Sequence, residues 1–351
     1  MRQSIPGLFL LIAVWTATGC RCSERSSSTE QASLDAGANS TTKADATTET
    51  PTGVNLDPWP ELSWYAWVAD AASSMPRPID TVRGRYVNSL PGYSVFGGEP
   101  ESYSEWLRLL PLAGPGTPVR NYRGDVVVPG DDEYLAAVVA IDVGSDNLQK
   151  STDVALRLHA EWRWFVRDHA MLYLTDSRFE LPLKRWQAGD ELSTKGLSPN
   201  WKTVAAPHPR ASHADFRVFL DQIFALSDCS ALVAESDPVV PERVEPGDFL
   251  LHRGRDPEVL MVLDVAKSRT GDRAVMLARS RNPAENIHII RPNRASLWFP
   301  MRPAQPLRVA RSQPFNWREL RRLRALRSTP NVACVGSMCP PTSPPPNKTL
   351  Q

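Results

Sequence analysis

The chain predicts an α+β fold in which helices precede an antiparallel β-meander. Three observations carry this. Apolar residues recur every three or four positions between about residues 147 and 168, and again after about residue 214, which is the spacing of one buried helix face. Beyond residue 245 the pattern changes to β-rich runs of four to seven residues separated by turn dipeptides, as neighbouring antiparallel strands require. Helical segments followed by runs of strands, without regular alternation, argue against a parallel α/β sheet.

Taken in chain order, Arg2 precedes an apolar run, Leu8 to Trp15, and small residues then lead to Cys20. The run is too short to span a bilayer, which takes about 20 residues, and suits a secretory signal. Thr16 to Cys20 resembles the bacterial lipoprotein box, although Ala17 stands where Leu is usual. The expectation is a signal over residues 1–20 and lipidation of Cys20, with a plain secretory signal as the alternative. Several acyl chains at one site make a stable membrane anchor. Arg21, not Asp, follows Cys20, which points to the outer membrane or cell surface. Residues 21–56 are rich in Ser, Thr, Ala, Glu and Asp, bury no apolar face and form a disordered tether.

The predicted domain covers residues 57–316. Trp59, Trp64 and Trp67 open it as packing residues, with a carbohydrate platform as the alternative. Trp106, Leu107, Leu109 and Leu110 mark a short buried helix. Ala136 to Val143 reads as a buried strand closed by Gly144, and Ser145 or Asp146 as the cap of a helix over residues 147–168. Met171 to Leu174 reads as a strand and residues 200–212 as loop. A second helix begins near Ala214 and buries Phe216, Phe219, Leu220, Ile223 and Phe224. The strands expected after it are Asp248 to His252, Val259 to Val265, Ala274 to Ala278 and Ile287 to Ile290. From Trp317 the run WRELRRLRALR reads as a basic amphipathic helix, either packed through Leu320 and Leu323 or touching an anionic surface, and a Pro-rich tail ends the chain.

Composition excludes some functions. A net charge of +1 over 351 residues argues against general nucleic-acid binding, which calls for a basic domain. Cys334 and Cys339 are close enough in sequence to form a small disulfide loop in an oxidising compartment, or to remain thiols. Cys229 is then the single thiol of the domain. No His, Cys and Asp spacing fits zinc, and no Gly-rich loop with a Lys fits a phosphate, so neither metal nor cofactor is expected. His208 and His213 read as solvated loop histidines, and Asp131, Asp132 and Glu133 as a solvated acidic turn.

Several segments in order are similar to the bacterial family of domain of unknown function 4846. They are SYSEWLRLLPL, AAVVAIDVGSDNLQKSTDVALRLHAEW, DFRVFLDQIFALS, GDFLLHRGRDPEVLMVLDVA, VMLARSRNPAENIHII and SLWF. The family in turn resembles papain-like amidase domains of the CHAP kind. This implies a papain-like arrangement in which a Cys opens a helix, a His begins a later strand, and a polar group on the next strand orients the His. A helix N-terminus and a neighbouring His favour a thiolate, and the third group fixes the His tautomer. The resemblance places Ser151 at the Cys position, Pro257 and Glu258 at a Gly-His pair, and Arg279 at a Gln. With all three groups replaced, it implies a Glu258–Arg279 hydrogen bond within a ligand site or a packed relic, rather than hydrolysis.

The stretch LSDCSALVAE, followed by PGDFLLH, also resembles the nucleophile region of NlpC-type cell-wall peptidases. That resemblance makes Cys229 the candidate catalytic thiol, with His252 or His288 standing in for the missing His at Glu258. The other reading of Cys229 is a structural thiol beside Leu226 and Leu232. The expected partners are the membrane, through the anchor, and a cell-wall or peptide ligand or a protein. A scaffold with a filled cleft is the third possibility.

Overall fold

A computed structural model describes residues 60–324, apart from residues 70–74, 87–88, 96–97, 169, 171, 175–178, 194–198 and 206. The signal, the tether, Trp59, Met171, Cys20, Cys334, Cys339 and everything beyond residue 324 lie outside the described residues. No described helix is long and apolar enough to cross a membrane.

The runs rich in Val, Leu, Ile and Met pair as expected. Among the described residues nine strands form one sheet. They are β1 (Tyr93–Val95), β2 (Leu135–Val138), β3 (Ser236–Pro238), β4 (Phe249–His252), β5 (Glu258–Ser268), β6 (Arg273–Arg279), β7 (His288–Ile290), β8 (Phe299–Pro300) and β9 (Leu320–Leu323). The order is β3-β9-β4-β5-β6-β7-β2, with β1 against β5 and β8 against β6. Every pairing is antiparallel. The principal helices are α1 (Tyr103–Arg108), α2 (Asp153–Phe165), α3 (His213–Leu226) and α4 (Cys229–Ala234). The molecule is therefore α+β, with an antiparallel sheet.

Both faces of the sheet are buried, so β5 reads as a near-continuous apolar run. Val259, Met261 and Leu263 join the core shared with the helices. Leu260, Val262 and Val265 join a second core, closed by Leu307, Phe315, Trp317 and Leu320. A bulge between Val262 and Asp264 breaks the alternation. It leaves Asp264 opposite Met276, on the helix side, where Arg108 of α1 holds it at 2.7 Å.

Four expectations need correction. The helix expected over residues 147–168 starts only at Asp153, and neither Ser145 nor Asp146 caps it. The residues before it are braced by side-chain bonds instead, one to a distant loop and one to α2 itself. Asn147 Oδ1 accepts the Ala284 amide at 2.7 Å and Gln149 Oε1 accepts from Arg157 Nη1 at 2.8 Å. Within the expected 200–212 loop, Asn200–Lys202 is a short strand on Glu191–Ser193. His213 is not a solvated loop histidine: it opens α3, is buried, and bonds Glu161 at 2.8 Å through Nε2. Ser212 and Asp215 form the capping box that starts α3.

The basic amphipathic helix expected from Trp317 is the largest correction. Trp317–Glu319 is a single 3₁₀ turn and Leu320–Leu323 is a strand. On a helix Leu320 and Leu323 would share a face; on this strand they serve opposite ones, Leu320 in the second core and Leu323 against the first. The arginines are tied to the protein: Arg321 Nη2 donates to Ser236 O at 2.7 Å and Arg322 Nε to Asp248 Oδ1 at 2.6 Å. The domain thus runs past residue 316, because β9 fills the space between β3 and β4.

Of the tryptophans expected to pack at the domain entrance, Trp67 is fully buried and donates its indole N–H to Ala140 O at 2.8 Å. Trp64 stacks on Phe165.

Candidate functional site

Ser151, Glu258 and Arg279 meet at one end of the sheet. Ser151 precedes α2, Glu258 begins β5 and Arg279 ends β6. Ser151 is buried and its Oγ accepts the Val259 amide at 3.0 Å. The hydroxyl therefore ties the start of α2 to the start of β5.

Arg279 is 1% exposed and organises the rest. Its Nη1 donates to Ser312 Oγ at 2.8 Å, to Ala310 O at 3.1 Å and to Glu258 Oε1 at 3.4 Å. Ser312 in turn donates to Glu258 Oε1 at 2.6 Å. The serine thus relays the guanidinium to the carboxylate in a chain of charge-assisted bonds. Burial pulls the Arg279 pKa down from its ordinary value and Glu258 pulls it back up.

His288, opposite Arg279 across the β6–β7 pairing, lies on the other side of this group. Burial, then the Arg279 charge, lowers its pKa to about 3, so the ring is neutral. A single tautomer fits both neighbours: Nδ1 donates to Asn286 O at 3.0 Å while Nε2 accepts from Arg279 Nε at 3.4 Å. Glu285, also buried, is pushed up to about 7, mainly by desolvation. Ser312, His288 and Glu285 complete a cluster of which the sequence reading named four members, His288 only as a substitute partner for Cys229. Ser312 and Glu285 carry no local signal, being brought in by the closing segment and by the turn before β7.

A serine nucleophile needs a strong base on its proton. Here Ser151 takes an amide proton, Glu258 is bound by Arg279 and Ser312, and the nearby imidazole accepts from Arg279. The cluster is built to hold α2, β5, β6 and the 310–312 segment together.

Cys229 is placed differently. It opens the six-residue α4 and is half-buried against the first core, with Leu226 and Val233 also packed there. The Asp228 carboxylate accepts the Ser230 and Ala231 amides at 2.8 and 3.0 Å. These helix-start donors are thereby taken by a carboxylate, where an anionic sulfur would need them. Of the two histidines named as substitutes, His252 pairs with Glu319 at 3.3 Å and His288 with Arg279. Among the described residues no group of His, Cys, Asp or Glu is placed to hold a metal ion.

Two clefts lie elsewhere, both lined by Arg108. One, of about 570 Å³, is floored by the Arg108–Asp264 pair and walled by Tyr86, Tyr93 and Trp298. The other, of about 970 Å³, lies among α1, the end of α2 and the turn before β4. Asp264 and Val265 border them, six or so residues along β5 from Glu258, hence roughly 20 Å away.

The fold and this cluster define a class: an α+β domain with a helix-covered antiparallel sheet and a buried Arg–Ser–Glu knot at one sheet end. The chain belongs to the family described as domain of unknown function (4846), whose model matches residues 85–322. Neither the curated proteins nor the solved structures include a match to it.

Proposed function

We propose that the protein is an envelope-anchored lipoprotein whose papain-like domain has exchanged hydrolysis for binding of a cell-wall or peptide ligand or a protein partner. The observation that carries this reading is the closed network at Ser151, Glu258, Arg279 and Ser312. The positions that the papain-like layout reserves for nucleophile, base and orienter lie together, Ser151 tying β5 to the start of α2 and Glu258 and Arg279 engaged with each other and with Ser312. The apolar run ahead of Cys20 supports the anchor.

The test uses the full chain with peptidoglycan fragments and short peptides, products being followed by mass spectrometry. No turnover is expected. Turnover that disappears on Glu258→Ala would sink the reading, and turnover lost on Cys229→Ala would establish the thiol-hydrolase alternative. The anchor is tested separately: Cys20→Ser is expected to move the protein from the membrane pellet to the soluble fraction.

A further inference from the structure

The larger cleft carries chemistry that the Ser151 cluster does not. Tyr103 of α1 and His159 and Trp162 of α2 form one wall. The rings pack together, Tyr103 lying 5.1 Å from Trp162 with 33° between planes and 5.4 Å from His159. The Trp162 N–H is already given to Glu101 O at 3.0 Å, so the indole's remaining asset is its face.

His159 is 6% exposed, and its Nδ1 is buried with no hydrogen-bond partner. Desolvation, reinforced by Arg163, lowers its pKa to about 3. The ring is therefore neutral, with one nitrogen to donate and one to accept. A buried polar atom left unmatched costs free energy, and here it belongs to a ring that lines a cleft.

Most of the positive charges around this cleft are paired. Arg322 holds both Asp248 and Glu245, Arg108 holds Asp264, and Arg163 holds Asp168. Arg243, Arg273 and Glu242 also line it. Five arginines and three carboxylates line the cleft, and Asp264 and Asp168, which do not line it, pair with Arg108 and Arg163. An anionic or phosphorylated ligand would have to compete with these carboxylates for three of the five arginines. A flat aromatic ligand would call for two parallel rings, whereas Tyr103 and Trp162 meet at an angle.

We propose that this cleft binds an uncharged oligosaccharide, with a sugar ring laid on Trp162 and Tyr103 and its hydroxyls hydrogen-bonded to His159 and to the Arg322–Asp248 pair. Pyranose rings present an apolar C–H face that suits an aromatic platform, and their hydroxyls both donate and accept, as a neutral imidazole beside a guanidinium–carboxylate pair requires. The volume accommodates more than one sugar unit. The inference rests on the reading that the domain binds rather than hydrolyses, and adds the ligand class and the place.

The test titrates the full chain, in detergent micelles, with a tetramer of N-acetylglucosamine and with a tetramer of glucose. Binding is read by calorimetry and tryptophan fluorescence. Saturable binding is expected, weakened about tenfold by Trp162→Ala. Amide exchange of residues 101–105 and 158–164 in the unaltered chain should slow when sugar is added, a readout that does not depend on a variant's folding. Binding of the acetylated tetramer alone would identify a cell-wall type of glycan, and binding of both a general neutral glycan. No binding of either up to about 10 mM, or binding that neither slows exchange there nor responds to Trp162→Ala, overturns the proposal. If peptide fragments bind while both sugars fail, this inference falls and the non-hydrolytic binding reading stands.

Discussion

The Val259 amide donates to Ser151 Oγ at 3.0 Å in a buried setting, so this side chain ties β5 to the start of α2. Ser151→Ala leaves a buried N–H without its partner. It is expected to cost about 1–3 kcal/mol in urea unfolding; an unchanged midpoint would argue that water takes over the bond. Asp153, two residues on, makes a second prediction. Desolvation raises its folded pKa to about 8 from the ordinary 3.8. Between those values the folded chain keeps a proton that the unfolded chain has lost. This residue's contribution to stability therefore falls as pH rises from about 4 and levels off above about 8. Asp153→Asn removes that dependence. The stability difference between variant and natural chain should grow with pH across this window, by up to about 1.4 kcal/mol per pH unit. Parallel urea midpoints from pH 4.5 to 8 would refute it. The Glu258–Arg279 bond was legible once the two positions were paired through the family resemblance. Ser312, which bridges them, was not, because a serine in a loop looks like any other until the chain folds over it.

Local rules and long-range contacts divide the elements between them. α3 begins where a Ser-x-x-Asp capping box precedes an apolar face, and β4 to β7 follow β-rich runs bounded by turns. Gly247 occupies one such turn at φ +98°, and a Cβ there would lie 2.7 Å from the Tyr103 ring, so glycine permits the turn to close against α1. The start of α2 departs from its periodicity because Asn147 is held by Ala284 and Gln149 folds back onto Arg157 of the helix itself. β9 departs most. Its composition favours helix, yet its backbone completes ladders with β3 and β4, and tertiary pairing outweighs a propensity of a few tenths of a kcal/mol per residue. Leu320 is fully buried in the second core. Leu320→Ala should cost about 2–5 kcal/mol, and the amides of residues 320–323 should exchange as slowly as those of β4. Fast exchange there would instead fit a surface helix.

At the scale of the whole molecule, the sheet needs cover on both faces. Helices cover one. The other is closed by the segment carrying Leu307, Val309, Phe315 and Trp317. A chain ending at Met301 would expose Leu260, Val262, Val275 and Leu277 and lose β9 as well. It is expected to aggregate or to bind a hydrophobic dye without a cooperative thermal transition, whereas a chain ending just after Arg324 retains these contacts. Cooperative melting of the shorter chain would contradict this account of the second core.

The sequence by itself determined the α+β class, the family, the places of the central strands and of α3, and the charge balance that argues against general nucleic-acid binding. These follow from patterns a few residues long: period, cap, turn and composition. Only the tertiary structure decided that β9 is a strand, that the bulge turns Asp264 toward Arg108, that Ser151 and Glu258 are engaged in bonds between elements, and that an unmatched His159 lines a separate cleft. Each of these depends on hydrogen bonds or packing between residues far apart in the chain. Such contacts become favourable only after the intervening chain has been ordered, and no local pattern records which partner will be waiting.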